Sequence, residues 1–246
     1  GVAPGAELLV GKAIPDSGTG PMSAVIAGME WAADQGADIV NLSVAGPTTD
    51  GTDPASLALE AVSAATDTLF VVATGNDSSD AQVGAPAVAD SALAVGAVDK
   101  QDQLAGYSNR GPRLGDAGVK PELTAPGTGI AAARAAGTSL GTPVNEHYTR
   151  ANGTSMAAPH VAGAAALLAQ ANPDWSWEEL KDALVSTAAP GDYTSFQGGA
   201  GRLDIAGAFN SRVYGPASVN LGALPAPYQE QRSEQLTYRN DTDQPV

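Results

Sequence analysis

From Thr154 to Ala171 the chain runs through eighteen residues (TSMAAPHVAGAAALLAQA) without one Asp, Glu, Lys or Arg. The run has helical length, and Pro173 stops it. A helix that is small or apolar on every side is stable only with protein on every side. The rest of the chain therefore has to enclose it. With 246 residues and 43% hydrophobic content, the chain has enough material for one substantial α/β domain, or one domain and part of another.

The enclosing elements are legible in the first hundred residues, which alternate strand and helix signals. Glu7 to Ile14 (ELLVGKAI) is a short apolar run that reads as a strand, followed by turn residues and Pro21, which suits a first helical turn. Met22 to Gln35 places Val25, Ile26, Met29 and Ala32 or Ala33 at helical spacing and stops at Gly36. Asp38 to Val44 reads as a buried strand, Pro54 to Thr66 as a second helix, and Thr68 to Ala73 and Ala92 to Val98 as further strands. This βαβαβ order predicts a mainly parallel sheet with helices on both faces. Between 100 and 150 the pattern loosens into Gly- and Pro-rich loops with short strands. Trp177 to Thr187 is an amphipathic helix with Leu180, Ala183 and Leu184 on one side. Composition changes near Tyr214. Ser218 to Leu221 and Gln235 to Arg239 read as strands, so the expected organisation is an α/β domain over 1–213 and the beginning of an all-β module over 214–246.

Bulk properties exclude several classes. The net charge is −15, from 27 acidic and 12 basic residues, which argues against nucleic acid and anionic membrane as partners. There is no cysteine, so disulfides, thiolate metal sites and thiol nucleophiles are absent. No stretch approaches the ~20 apolar residues of a membrane span.

Chemistry concentrates at the start of the uncharged helix, in N-G-T-S-M-A-A-P-H (152–160). Ser155 falls at a helix N-terminus, where its own N–H has no intrahelical partner and the helix dipole favours developing negative charge. That is a fitting place for a nucleophile; Ser155 or Thr154 there also fits a simple N-cap. Asn76, in A-T-G-N-D, follows an apolar strand and a glycine. Its amide could donate to an oxyanion, and it equally suits a turn.

The segment N-G-T-S-M-A-A-P-H-V-A-G (152–163) resembles the serine motif of the subtilisin-like serine peptidases, the subtilases. G-V-A-P-G-A-E-L (1–8), G-M-E-W-A (28–32), D-I-V-N-L-S-V-A-G-P (38–47), V-V-A-T-G-N (71–76) and A-V-G-A-V-D (94–99) follow in that family's order. The resemblance covers roughly 1–210. It implies a three-layer αβα fold and a serine endopeptidase acting on peptide or protein substrates through a Ser-His-Asp triad and an acyl-enzyme. Ser155 would be the nucleophile and Asn76, with the Ser155 N–H, the oxyanion donor. Substrate would pair with backbone edges at Gly18-Thr19-Gly20 and at Ser43-Val44-Ala45. Ala73-Thr74-Gly75 would form the opposite wall of the primary pocket, beside Thr154. Many relatives have glycine where Ala45 stands, which implies a narrower pocket suited to medium apolar side chains. Residues 214–246 resemble, more weakly, the fibronectin type III-like modules that follow some secreted subtilases. Secretion is the localisation the resemblance implies.

The site is incomplete by the same standard. On a helix, His160 is turned roughly 140° from Ser155, and His147 lies in the polar E-H-Y-T. Asp16-Ser17-Gly18 spells the family's aspartate motif, but it follows rather than precedes the post-histidine segment, and there is no His-Gly-Thr-His. Asp16 is therefore read as a turn residue. The catalytic Asp and His are expected in a segment upstream of Gly1, which becomes a partner of this chain. The rival is a subtilase-like binding module that has lost its triad. An elbow-serine hydrolase is disfavoured because G-x-S-x-G is absent. No cofactor is expected. Some relatives hold structural calcium, but no Asp-x-Asp-x-Asp cluster occurs, so no metal residue is assigned.

Overall fold

A computed structural model describes residues 1–224, 226–227, 231–242 and 244–245. In chain order the elements begin with α1 (Met22–Asp34), β1 (Ile39–Leu42), α2 (Pro54–Thr66), β2 (Leu69–Ala73), β3 (Leu93–Val98) and β4 (Leu123–Pro126). Then come β5 (Ile130–Ala133), β6 (Thr142–Pro143), β7 (Tyr148–Ala151), α3 (Thr154–Ala171) and α4 (Trp177–Ser186). The last are α5 (Ser195–Gly198), α6 (Ile205–Asn210), β8 (Val213–Tyr214) and β9 (Arg239–Asn240).

Strands β1 to β4 form a parallel sheet in the order β1-β2-β3-β4. Every residue of β2 and β3 is buried, as strands covered on both faces require. Alternate side chains serve two cores. Leu69, Val71, Leu93, Val95 and Leu123 point to the side of α3 and α4, against Val161, Leu168, Leu180 and Leu184. Phe70, Val72 and Ala94 point the other way, to Met29 of α1 and Leu59 of α2. This is the expected three-layer αβα arrangement, with α3 packed on the sheet and on α4 and α6.

Helix ends are set by local chemistry. Asp53 caps α2 by accepting the N–H groups of Ala55 and Ser56, each at 3.0 Å, with Pro54 in the first turn. A Ser176–Glu179 capping box starts α4, and the Asp67 carboxylate after α2 accepts the Trp177 N–H at 2.9 Å.

Three strand expectations need correction. Glu7–Ile14 forms no strand, and Leu8 and Val10 are each 83% exposed. An apolar run has strand propensity, but a strand also needs a neighbour. Among the described residues β1 pairs only with β2, so its outer edge is open. Ser218–Leu221 is not a strand, and of Gln235–Arg239 only Arg239 joins one, the short β8–β9 pair. That pair is anchored by side chains. Trp175 meets Tyr214 edge-on with ring centres 5.3 Å apart, and the Arg239 guanidinium lies 4.9 Å from the Trp175 ring centre and pairs with Glu179. Of the expected β module, residues 225, 228–230, 243 and 246 lie outside the described residues.

One buried charge gives a pH prediction. Burial, reinforced by the charge of Lys181 and opposed by Glu122, lowers the Lys120 pKa from 10.5 to about 8. Below pH 8 the folded and unfolded chains both hold this proton. Between about 8 and 10.5 the unfolded chain holds it and the folded chain does not, so this group makes stability rise with pH there, at most by about 1.4 kcal/mol per unit. Denaturant titrations at pH 7, 9 and 10 should show that rise in the wild type and a weaker one in Lys120→Met. Identical slopes in the two proteins would contradict the assignment.

Candidate active site

Ser155 occupies the second position of α3, and its side chain is half-buried. The helix contains Pro159, four residues on, which has no N–H to offer the Ser155 carbonyl. Ser43, just beyond β1, fills the vacancy by donating its hydroxyl to that carbonyl at 2.9 Å. In return the Ser155 hydroxyl donates to the Ser43 carbonyl at 3.3 Å. This reciprocal pair ties the serine to the end of β1.

Asn76 follows β2 and is held from the same helix. Its Oδ1 accepts the Thr154 N–H at 2.8 Å and the Thr154 hydroxyl at 3.1 Å. Because an N–H must face the amide oxygen, the orientation of the amide is fixed. The Nδ2 donor is left without a protein acceptor among the described residues. Thr154 is fully buried, and its hydroxyl also accepts the Gly75 N–H at 3.2 Å. Gly75 has φ +106°, and a Cβ there would lie 2.5 Å from Asn109 Nδ2, so both conformation and space demand glycine.

Asn109 is the hub behind this wall. Its Oδ1 accepts the Asp77 N–H at 2.7 Å, while its Nδ2 donates to the Asp77 carboxylate at 2.9 Å and to the Gln82 carbonyl at 2.8 Å. An open cavity of about 440 Å³ results, lined by Val44, Ala45, Gly46, Ala73, Gly75, Asn76, Asp77, Thr154 and Ser155. Gly46 is held from outside, donating to the Ala85 carbonyl at 2.7 Å while Ala85 donates to the Pro47 carbonyl at 2.9 Å.

Most of the residues singled out in the sequence therefore meet at one cavity. Ser43 touches Ser155 without lining it. Thr74 is buried, with its hydroxyl on the Val95 and Asn109 carbonyls at 3.3 and 3.4 Å. Gly18, Thr19 and Gly20 are exposed and outside the cavity lining, in a turn where the Gly18 N–H donates to the Pro15 carbonyl at 3.0 Å. Gly46, Asp77, Asn109 and Pro159 were missed. Only the proline, four residues after the serine, carried a local signal.

No described histidine serves Ser155. The Nδ1 of His160 lies 2.8 Å from the Met156 carbonyl, one turn back along α3, and His147 is exposed beside Glu146 at 2.7 Å. Asp16 is exposed and pairs with Lys12. Among the described residues there is no group of three or more His, Cys, Asp or Glu side chains that could hold a metal, and no helix long and apolar enough to cross a membrane.

The subtilase family model matches residues 1–208. The chain belongs to the subtilase family. Subtilisin DY of Bacillus licheniformis is 37% identical over 208 residues, covering 83% of this chain and 69% of the relative. Subtilisin Savinase of Lederbergia lenta is 36% identical over 80% of this chain and 66% of its own length, and subtilisin E of Bacillus subtilis 38% over 76% and 45%. The chain thus spans between about half and about two-thirds of these relatives. Among solved structures, a protease from Pseudoalteromonas arctica superposes with a TM-score of 0.65 at 30% identity, covering 77% of this subtilase and 58% of that chain. The prenylagaramide maturation protease PagA superposes with a TM-score of 0.63 at 28% identity, covering 79% and 68%. In this subtilase the matched region ends before β8, so the β8–β9 pair lies beyond it.

Proposed function

We propose that this chain is the nucleophile-bearing part of a secreted serine endopeptidase. The observation that carries the reading is the joint arrangement of Ser155 and Asn76. One hydroxyl lies at a helix N-terminus, and one amide is locked with its donor unclaimed, both on the same cavity. In the proposed reaction the Ser155 Oγ attacks the scissile carbonyl carbon as its proton passes to an imidazole. The carbonyl oxygen becomes an oxyanion, stabilised by Asn76 Nδ2 and the Ser155 N–H. The C–N bond breaks, the amine leaves with the proton, and water hydrolyses the acyl-Ser155 ester by the same steps. The imidazole and its carboxylate partner come from a segment outside these 246 residues. Substrate is peptide or protein, bound along Ser43–Ala45 and Ala73–Gly75, with Gly18–Gly20 as a second edge. The acidic surface disfavours nucleic acid and anionic membrane, and no cofactor takes part.

The cavity walls, Ala45 and Ala73 in particular, favour medium apolar side chains just before the cleaved bond. A peptide-library digest with the protein that includes the base-bearing segment should show Leu- or Met-type residues ahead of Phe and Tyr there, and Ser155→Ala should remove the cleavage. A profile led by Phe and Tyr would refute the pocket reading, and persistent cleavage by Ser155→Ala would refute the nucleophile.

A further inference from the structure

A second cavity, of about 220 Å³, is lined by Trp175, Glu179, Asp182, Tyr214, Thr237 and Arg239, and the proposed reaction uses none of them. Trp175 just precedes α4, and Glu179 and Asp182 lie on it, within the subtilase match. Tyr214, Thr237 and Arg239 belong to the segment beyond that match. The Trp175 and Tyr214 rings meet edge-on, with planes at 78°. Tyr214 is buried, and its hydroxyl donates to the carbonyls of Ser211 at 2.6 Å and Ala208 at 3.2 Å, which holds the pair of rings in place. The Arg239 guanidinium lies over the Trp175 ring, pairs with Glu179, and meets the Asp241 carboxylate at 2.6 Å. Asp182 Oδ1 accepts the Ala217 N–H at 2.7 Å, and its Oδ2 accepts no hydrogen bond among the described residues.

Two carboxylates thus pair with one cation, and a third, Asp182, lines the same cavity. Negative charge exceeds the positive charge that meets it. A planar guanidinium can lay its face on an indole while its edge donates to carboxylates. An ammonium, a compact point charge, cannot do both, and a neutral group of the same shape gains from neither. The chain beyond the match depends on this contact. The β8–β9 ladder has two residue pairs, too few to persist alone. Residues 218–221 and 231–238, between the two strands, are exposed. Within 237–242, Arg239 alone makes a hydrogen bond or ion pair to residues 1–208.

We propose that Trp175, Tyr214, Glu179 and Asp182 form a seat for a guanidinium group, that Arg239 is the ligand this chain itself supplies, and that the arm carrying β9 is a latch which opens when Arg239 leaves the seat. The seat selects guanidinium over ammonium and over a neutral isostere. Emptied of Arg239, it accepts an arginine side chain from outside. Nothing in this inference depends on whether the protein cleaves peptides.

The test uses the full chain and follows the indole N–H resonance of Trp175, identified among the three tryptophans by its loss in Trp175→Phe. The probes are N-acetylargininamide, N-acetyllysinamide and the neutral isostere N-acetylcitrullinamide. In Arg239→Ala the arginine probe should shift the resonance saturably, the lysine probe should bind more weakly, and the citrulline probe should leave it in place. The wild type, its seat already filled, should bind the arginine probe about tenfold more weakly or less. Hydrogen exchange reads the latch. The amides of 238–242 should exchange about tenfold faster or more in Arg239→Ala, with Arg239→Lys in between. Exchange in β2 and β3 should stay as in the wild type, which shows that the variant is folded. No saturable shift in Arg239→Ala, equal binding of the arginine and citrulline probes, or unchanged exchange over 238–242 overturns the proposal.

Discussion

Asn76→Asp is expected to keep the fold and lose the reaction. The substitution preserves an oxygen at the Oδ1 position, which accepts the Thr154 N–H at 2.8 Å. It replaces the Nδ2 donor by an oxygen that repels an oxyanion. Asn76→Ala is the less specific variant, because it also leaves the buried Thr154 N–H without its acceptor, at a cost of ~1–3 kcal/mol. For alanine the turnover number should fall by ~10²–10³, the figure known for loss of such a donor in a subtilisin and taken from there. For aspartate the fall should be at least as large. In both, KM should change little, because the oxyanion exists only in the transition state. Steady-state kinetics of the protein with its base-bearing segment, alongside melts of each variant, separate the two roles. A change confined to KM, or an Asn76→Asp protein with wild-type turnover, rejects the oxyanion assignment.

The second large effect concerns the base. Ser155 donates to a main-chain carbonyl 3.3 Å away, and a carbonyl cannot take its proton at neutral pH. The nearest histidine in sequence is committed to the Met156 carbonyl. The 246-residue chain by itself should therefore react with a fluorophosphonate no faster than an ordinary serine does. A segment carrying the family's Asp-Ser/Thr-Gly and His-Gly-Thr-His motifs, added as a separate polypeptide, should restore labelling of Ser155 by several orders of magnitude, in line with the ~10⁴–10⁶-fold losses seen when triad members are removed. It should also raise the melting temperature, because the outer edge of β1 has backbone groups free to pair. Rapid labelling of the chain alone would mean that a base within it has been overlooked. Labelling restored without any rise in melting temperature would place the segment somewhere other than the edge of β1.

The core of the fold was legible because its signals are local and periodic. The apolar runs of β2 and β3 and the uncharged α3 each announce burial without reference to anything distant. Ser155 and Asn76 were legible for a different reason, since each sits in a short motif with its own local chemistry. What escaped depends on partners far along the chain. Asp77 reads as a turn aspartate until Asn109, 32 residues later, fixes it at the cavity wall. Lys120 and Glu122 look like ordinary surface charges beside a proline. Only the approach of the 89–92 loop and Lys181 makes them interior. Glu7–Ile14 failed in the opposite direction: its side chains suit a strand, but no described neighbour offers it a ladder.

Pro159 makes the serine answerable to the sheet instead of to its own helix. In an unbroken helix the Ser155 carbonyl would belong to the next turn, and the height of the side chain would follow from helical geometry alone. Here that carbonyl is claimed by Ser43, the residue immediately after the strand whose outer edge is open. A segment that zips onto Ile39–Leu42 must fix the end of that strand, and with it Ser43 and, one hydrogen bond further, Ser155. Pairing at that edge and the position of Ser155 are then linked through a single serine hydroxyl.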